Sequence, residues 1–177
     1  LDLIEKDIIT FKQKGDVLLL GDLNARTSNT ADFISQDSTR HLPLYDSYKI
    51  DKQIKGRKNL DQSLDERGKE LIDICISNQM RIINGRTTGD FFGQYTCYNF
   101  HGQSTVDYLI ANEEILDQIL FFRVSDFLAT FSDCHCKISF EIIANFQENC
   151  SRYDNLHKAP SKFKWTDNSA VKFKEAL

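Results

Sequence analysis

The sequence predicts an α/β fold, in which strands and helices follow one another along one chain. Apolar residues recur at helical spacing at the beginning of the chain, whereas residues 17–20 form a continuous apolar run typical of a buried strand. Strand and helix patterns intersperse further along, which indicates layered α/β packing. With 177 residues, the chain is long enough for one domain with a sizeable core.

The first elements are a helix, a strand and a long loop. The helix is predicted over residues 1–11 and ends at Gly15, and the strand at 17–20 follows it. Residues 25–65 are mostly polar and are interrupted by turn-forming residues. Their apolar positions follow neither helical nor strand spacing, which predicts a long loop region. The apolar positions of the helix are Leu1, Ile4, Ile8 and Phe11.

The second half of the chain carries a second helix and several short strands. The helix spans residues 66–78, and residues 94–98 and 105–111 are predicted to pair as strands through a turn at 99–103. The buried face of the helix is predicted to be Leu71, Ile72, Ile74 and Cys75. The remaining predicted elements are strands at 81–83, 124–127 and 136–143 and a short helix at 113–119.

Two polar side chains follow the first strand, which ends at Gly21-Asp22-Leu23-Asn24. In an extended chain, Asp22 and Asn24 point to the same side. A carboxylate and an amide directed into one cleft suit the binding of a phosphate, a metal ion or an attacking water. A simple turn is the open alternative, because Gly, Asp and Asn are common turn residues.

Two later segments also place an Asp beside a strand pattern. They are Ser104-Thr105-Val106-Asp107-Tyr108 and Ser132-Asp133-Cys134-His135. In this order, the three motifs resemble the second half of the endonuclease/exonuclease/phosphatase superfamily. That superfamily includes the apurinic-site DNA endonucleases and the endonuclease domains of LINE-type retrotransposons. Residues 67–73 and 83–87 resemble the retrotransposon branch, and the resemblance covers residues 1–145.

The resemblance implies half of a four-layer α/β sandwich, with mixed β-sheets flanked by helices. The first half of the family domain supplies an Asn and a metal-binding Glu, and this sequence has no counterpart of them before Leu1. We therefore expect an N-terminally truncated domain whose isolated chain is poorly active. One sheet is expected to expose an apolar face, which favours association or instability.

The resemblance also implies a role for each residue of the motifs. Asp22 orients or deprotonates the attacking water, and Asn24 hydrogen-bonds that water or a phosphate oxygen. Asp107 pairs with a histidine, a contact that favours the imidazolium form. His135 contacts the scissile phosphate, and Asp133 binds or positions the metal. The implied cofactor is Mg²⁺, with Mn²⁺ as a possible substitute, because these ions take oxygen ligands and need only one or two carboxylates.

Cys134 separates two residues that are adjacent in the family, as Ser-Asp-His. A local bulge would restore the usual presentation of His135. The run Cys134-His135-Cys136 also invites a zinc interpretation. A structural zinc site takes four ligands, usually as two spaced pairs, and Cys75 and Cys97 form no such pair. Alternation along a strand is therefore the favoured interpretation of this run.

DNA is the expected partner, although the net charge of −4 opposes phosphate binding. A metal held by carboxylates reverses the charge locally. Positive charge also clusters between Lys49 and Lys58, and Lys55, Arg57 and Lys58 are the candidate contacts to the DNA backbone. An ordinary solvated loop is the alternative for this cluster.

Residues 146–177 are predicted to be a linker and the start of a downstream region. Phe163-Lys164-Trp165 and the helix after it resemble the segment that joins endonuclease to reverse transcriptase in LINE-type polyproteins. The implied partners are that reverse transcriptase region and the element RNA. No apolar run approaches the ~20 residues of a membrane span. Five cysteines at irregular spacing indicate a reducing compartment, and the resemblance implies an intracellular protein that acts in the nucleus.

Three functions remain open from the sequence. The first is Mg²⁺-dependent nicking of DNA as the endonuclease part of a retrotransposon polyprotein. The second is hydrolysis of a small-molecule or lipid phosphate ester by a member of the same superfamily. The third is a non-catalytic remnant that keeps the fold without turnover.

Overall fold

The computed structural model describes residues 1–35 and 50–143, which belong to one compact unit, Leu1–Ala144. The predicted linker and downstream region at 146–177 lie outside the described residues, as does Lys49 of the basic cluster. Within the described part of the chain, no helix is long and apolar enough to cross a membrane.

Helices and strands are interspersed along the described residues. Residues 25–35 and 50–65 contain neither a helix nor a strand of the sheets, which agrees with the predicted loop. In chain order, the elements are α1 (Asp2–Lys12), β1 (Leu18–Asp22), α2 (Glu66–Ser77), β2 (Met80–Ile82), β3 (Cys97–Asn99), β4 (Gly102–Ser104), β5 (Asp107–Asn112), a 3₁₀ helix (Glu113–Gln118), β6 (Ile119–Val124) and β7 (Ile138–Ile142).

Helix α2 begins at a side-chain cap and docks against the loop that follows β1. Asp65 caps the helix by accepting a hydrogen bond from the Gly68 amide at 2.6 Å. The same carboxylate accepts from the Arg26 amide at 3.1 Å. Gly68 permits this close approach, because a Cβ at that position would lie 1.9 Å from the Arg26 carbonyl oxygen. The predicted buried face of α2 is confirmed for Leu71, Ile72, Ile74 and Cys75.

The central sheet has three strands in the order β1-β5-β2, and both pairings are antiparallel. In the β1–β5 register, Leu20 lies opposite Leu109 and Asp22 lies opposite Asp107. Residues that face one another across an antiparallel pair point to the same side of the sheet. The register therefore places the carboxylates of Asp22 and Asp107 at one end of the sheet and on one face.

The two faces of this sheet are covered by different elements. Helices α1 and α2 cover one face, and the two-stranded sheet β6–β7 packs on the other. Strand β5 is therefore buried over its whole length. The first core cluster includes Ile8, Leu71, Ile72, Tyr108 and Ile110. The second includes Leu109, Ala111, Phe122 and Val124.

The structure corrects several sequence-based predictions while keeping the α/β class. Strand β5 pairs with β1 and β2, whereas we predicted pairing with residues 94–98, and β3 pairs with β4 in a separate two-stranded sheet. The continuous apolar run of β5 is typical of a strand covered on both faces, which explains its central position. Strand β6 occupies Ile119–Val124, whereas we placed a strand at 124–127. All pairings among the described strands are antiparallel, whereas we expected mixed sheets.

Strand β1 is an edge strand of the central sheet and leaves apolar surface exposed. Leu18 and Leu20 point to the face that carries Leu109, yet they are 39% and 51% exposed. Leu109, in the central strand, is fully buried by the β6–β7 sheet. We expected a whole sheet face to be exposed, whereas the central sheet is covered on both faces and leaves these two leucines exposed at its edge.

Candidate active site

Three predicted site residues from distant parts of the chain meet at the end of the central sheet. His135 places its Nδ1 atom 3.1 Å and 3.0 Å from the two carboxylate oxygens of Asp107. Its Nε2 atom lies 3.8 Å from Oδ2 of Asp22. Side-chain exposure is 33% for Asp22, 12% for Asp107 and 36% for His135, so the cluster is open to solvent on the Asp22 and His135 side.

The acidic partners of His135 favour its protonated form. The hydrogen bond that His135 donates to Asp107 raises the pKa of His135 above its ordinary value of 6.5, and the opposing effect of partial burial is smaller. The negative charges of Asp107 and Asp22 act in the same direction. An imidazolium at this position donates from both ring nitrogens, one toward Asp107 and one toward the open side of the cluster.

A turn held by the Ser132 side chain orients His135 toward Asp107. The Ser132 hydroxyl oxygen accepts hydrogen bonds from the backbone amides of His135 at 3.0 Å and Cys134 at 3.4 Å. The Cys134 carbonyl then accepts from the Tyr98 amide of β3 at 2.7 Å. Cys134, the residue that separates Asp133 from His135, thus lies in a bend before β7, whereas we expected a bulge within a strand.

Two buried polar side chains hold Asp107 in place. The Thr96 hydroxyl oxygen accepts from the backbone amides of Val106 and Asp107, each at 3.0 Å. Asn84 donates to the Asp107 carbonyl at 3.0 Å and accepts from the Leu109 amide at 3.1 Å. Thr96 and Asn84 are 0% and 1% exposed, so these contacts are shielded from water.

Asn24 contacts Asp22 through a turn and not through an extended strand. Its φ angle is +48°, a left-handed conformation that Asn tolerates better than most residues. Its backbone and side-chain nitrogens donate to the two Asp22 oxygens at 2.8 Å and 3.2 Å. The turn alternative is therefore realised, and it still brings the amide and the carboxylate together on the exposed side of the site.

The loop after β1 is anchored by residues that sequence reasoning did not assign. The buried Tyr108 hydroxyl donates to the carbonyls of Ala25 and Thr105 at 2.8 Å and 2.6 Å, and burial raises the pKa of Tyr108 to about 12. The Arg26 guanidinium donates two hydrogen bonds to the Asp61 carboxylate, at 2.6 Å and 2.8 Å. The Thr105 amide donates a third to the same carboxylate at 3.0 Å.

Burial opposes ionisation of Asp61, but the Arg26 guanidinium and the Thr105 amide together hold the pKa of Asp61 below its usual range. Asp61 therefore joins the segments that lead out of β1 and into β5. Among the residues that hold Asp107 and the loop after β1, only Asn84 could be found from the sequence. It belongs to the run 83–87 that resembles the retrotransposon branch. Thr96, Asp61 and Arg26 lie in no motif.

The structure places the other predicted site residues away from the cluster or in different surroundings. Asp133 is exposed in the bend before His135, and its carboxylate is not among the described donor groups that approach one another closely. Arg57 is 7% exposed and donates to the Thr27 hydroxyl at 2.7 Å, so its guanidinium is directed into the fold. Lys55 and Lys58 are exposed, as a contact with a DNA backbone requires.

Each of these two lysines lies over an exposed phenylalanine ring. Lys55 Nζ is 6.0 Å from the ring centroid of Phe91, and Lys58 Nζ is 5.6 Å from that of Phe92. The phenylalanines are 53% and 62% exposed. We call these four residues the Lys–Phe surface. The Lys58 amide donates to the Gly85 carbonyl at 2.9 Å, which attaches this surface to the Asn84 segment beside the site.

The donor set of the cluster suits a hard divalent cation. One ligand atom from each of Asp22, Asp107 and His135 lies within 4.8 Å of the others. Carboxylate oxygens are the protein ligands that Mg²⁺ and Mn²⁺ prefer, and Mg²⁺ needs only one or two of them. The residues present therefore fit the metal that the sequence resemblance implies.

Comparison with protein-family models, with curated proteins and with solved structures finds no match to this chain. The residues of the site are therefore the basis for its functional assignment. Fold class alone carries no activity, whereas the identity and spacing of Asp22, Asp107 and His135 do limit the chemistry.

Proposed function

We propose that this chain is half of an endonuclease/exonuclease/phosphatase domain that hydrolyses phosphodiester bonds with Mg²⁺ and nicks DNA. The single observation that carries the proposal is the Asp22–His135–Asp107 cluster. Its members come from three separate sequence motifs, and they meet at 3.0 Å and 3.8 Å. The proposed architecture is half of a four-layer sandwich, which accords with a central sheet covered by helices on one face and by β6–β7 on the other.

The carboxylates of Asp22 and Asp107 are the proposed metal ligands. Mg²⁺, when bound there, supplies positive charge to the scissile phosphate. Asp22 is the more exposed carboxylate and holds the Asn24 side-chain amide at 3.2 Å. This pair orients the attacking water, with Asp22 as the proton acceptor and Asn24 as a hydrogen-bond donor to the water or to a phosphate oxygen.

His135 is the proposed electrostatic contact to the phosphate. Asp107 holds Nδ1 and raises the pKa of the ring, which favours the form whose Nε2 carries a proton toward the open side of the cluster. The separation of 3.8 Å between Nε2 and Asp22 is too long for a direct hydrogen bond, and a bridging oxygen atom fits such a gap. A phosphate oxygen in that position receives a charge-assisted hydrogen bond from His135.

The Lys–Phe surface favours DNA over a small phosphate ester. Exposed lysines neutralise backbone phosphates, and exposed aromatic rings stack on bases that leave a duplex. A small ester needs neither feature. DNA is therefore the proposed substrate, and the downstream reverse transcriptase region, the element RNA and a nuclear site of action are proposed with it.

The test is nicking of supercoiled plasmid by the full chain in Mg²⁺. Asp22→Asn is expected to lower the rate by about 10²-fold or more, because proton transfer by a positioned carboxylate contributes that much. Asp73→Asn is the matched control, since Asp73 is exposed on the outer side of α2. Equal nicking by the Asp22→Asn variant and the unaltered chain would refute the proposed site.

Two further measurements separate the alternatives. Double substitution of Lys58 and Phe92 by Ala is expected to reduce plasmid nicking and to leave hydrolysis of inositol phosphate or sphingomyelin unchanged. Preferential hydrolysis of these small esters would favour the second function. Absence of nicking together with absence of Mn²⁺ binding by electron paramagnetic resonance would favour the non-catalytic remnant.

A further inference from the structure

A second group of metal-ligating side chains shares His135 with the proposed active site. One ligand atom from each of Cys97, Cys134 and His135 lies within 4.8 Å of the others. Cys97 belongs to β3, far from the other two in the sequence, which is why a search for paired cysteines along the chain does not reveal the group. Neither cysteine takes part in a disulfide.

The backbone of β3 brings these residues together. Cys97 forms an isolated antiparallel bridge with His135, and the amide of the next residue, Tyr98, donates to the Cys134 carbonyl at 2.7 Å. The two sulfur atoms lie within 4.8 Å of each other. Cys97 is 6% exposed, whereas Cys134 is half-buried, so an ion can reach the group from the Cys134 side.

The neighbouring cysteine provides an internal comparison. Cys136 is also close to the group in sequence, but it packs in the second core cluster with Phe122 and Val124. Its side chain is not part of the Cys97–Cys134–His135 group. The zinc motif considered from the sequence, Cys134-His135-Cys136, is thus replaced in the fold by a group that exchanges Cys136 for Cys97.

We propose that Cys97, Cys134 and His135 bind a thiophilic divalent cation, with Zn²⁺ as the occupant. Two thiolates and one imidazole are a ligand set that Zn²⁺ uses where a fourth position stays open to water. Mg²⁺ and Mn²⁺ prefer oxygen ligands and select the Asp22–Asp107 side of the cluster. One imidazole therefore lies between a site for hard cations and a site for soft cations.

Zn²⁺ binding displaces protons from the thiols. Burial raises the pKa of Cys97 to about 11, and the neighbouring Cys134 acts in the same direction, so the metal-free Cys97 thiol favours its protonated form. A bound cation reverses this preference, since a coordinating thiol is deprotonated. Two protons leave the thiols when two metal–sulfur bonds form, and a protonated His135 ring must lose a third before its nitrogen can bond the metal, so affinity rises with pH.

The consequence for catalysis rests on the proposed function. An imidazole that donates its lone pair to Zn²⁺ cannot remain a doubly protonated imidazolium against Asp107 and the phosphate. Zn²⁺ at this group is therefore an inhibitor of Mg²⁺-dependent nicking. Binding itself needs no turnover, so it is measurable even if the chain has no nuclease activity.

The test is titration of the full chain with Co²⁺ as a spectroscopic substitute for Zn²⁺, in a non-thiol reductant. We expect one equivalent of Co²⁺ to give thiolate-to-cobalt absorption that Zn²⁺ bleaches. Cys97→Ser and Cys134→Ser are each expected to weaken binding by more than the ~10–100-fold that loss of a group supporting a ligand causes. Cys136→Ala is the control and should bind as the unaltered chain does, with circular dichroism confirming that each variant folds.

Several results would overturn the proposal. These are Co²⁺ binding without thiolate absorption, binding unchanged in both serine variants, or binding abolished by Asp22→Asn alone. Formation of a Cys97–Cys134 disulfide with Co²⁺ binding undetectable in the reduced protein would also overturn it and would indicate a redox pair instead. Inhibition of nicking by Zn²⁺ in the unaltered chain but not in Cys134→Ser would extend the proposal to catalysis.

Discussion

Replacing Thr96 by Val tests whether one buried hydroxyl holds the Asp107 carboxylate in place. Thr96 is fully buried, and its hydroxyl oxygen accepts from the amides of Val106 and Asp107, each at 3.0 Å. Val has the same shape as Thr but offers no acceptor. The substitution therefore removes two hydrogen bonds at the start of β5 with little change in packing volume.

The expected cost follows from the two amides that lose their acceptor. Each buried donor without a partner costs about 1–3 kcal/mol, so the Thr96→Val variant should lose about 2–6 kcal/mol of unfolding free energy. For a chain of this size, each kcal/mol corresponds to roughly 2–4 °C in Tm. Thr96→Ser keeps the oxygen and loses only a methyl group, which costs about 1 kcal/mol.

The assay is urea denaturation of the unaltered chain, Thr96→Ser and Thr96→Val, together with amide hydrogen exchange at Val106 and Asp107. Thr96→Val should be the least stable of the three, and protection at those two amides should fall. A Thr96→Val variant as stable as Thr96→Ser, with both amides still protected, would show that the hydroxyl does not support the site.

Three further predictions concern buried charge, the histidine and a glycine. Asp32→Asn should destabilise the fold by about 3–5 kcal/mol in urea denaturation, because Asp32 is fully buried and pairs with the buried Arg86 at 2.5 Å. Asp107→Asn should lower the pKa of His135, followed by proton NMR of the metal-free protein in EDTA. Since that pKa is raised by folding, the contribution of His135 to stability is full below its unfolded value near 6.5 and is lost as pH rises through the folded value. Asp107→Asn should weaken this pH dependence, because Asp107 is the largest cause of the raised pKa. Gly85→Ala should fail to accumulate as folded protein by circular dichroism, because φ is +79° and a Cβ would lie 1.7 Å from the Lys58 carbonyl oxygen.

Much of the local structure was predictable because it depends on neighbours in the sequence. The spacing of apolar residues located α1 and α2, and the capping residue Asp65 begins α2 where the pattern begins. The pairing of β5 was not predictable in the same way. The apolar run of β5 is compatible with any buried strand position. Whether β5 pairs with β1 and β2 or with β3 depends on which apolar surfaces the rest of the fold must bury.

The site shows the same division. Asp22, Asp107 and His135 were selected from motifs, and the structure brings them together. Arg57 also belonged to a motif-like cluster of basic residues, yet it is buried against Thr27. A run of positive charge specifies only composition, and the direction of each side chain depends on the loop that carries it.

The sequence by itself determined the α/β class, the helices and the three polar motifs, because periodicity, capping and turn chemistry act over a few residues. Only the tertiary structure decided that Thr96 and Asn84 hold Asp107 and that Cys97 lies beside Cys134 and His135. Such contacts join residues distant in the chain, and the free energy that selects them comes from burial of whole faces of the sheet. That energy is a property of the packed molecule and leaves no short-range pattern in the sequence.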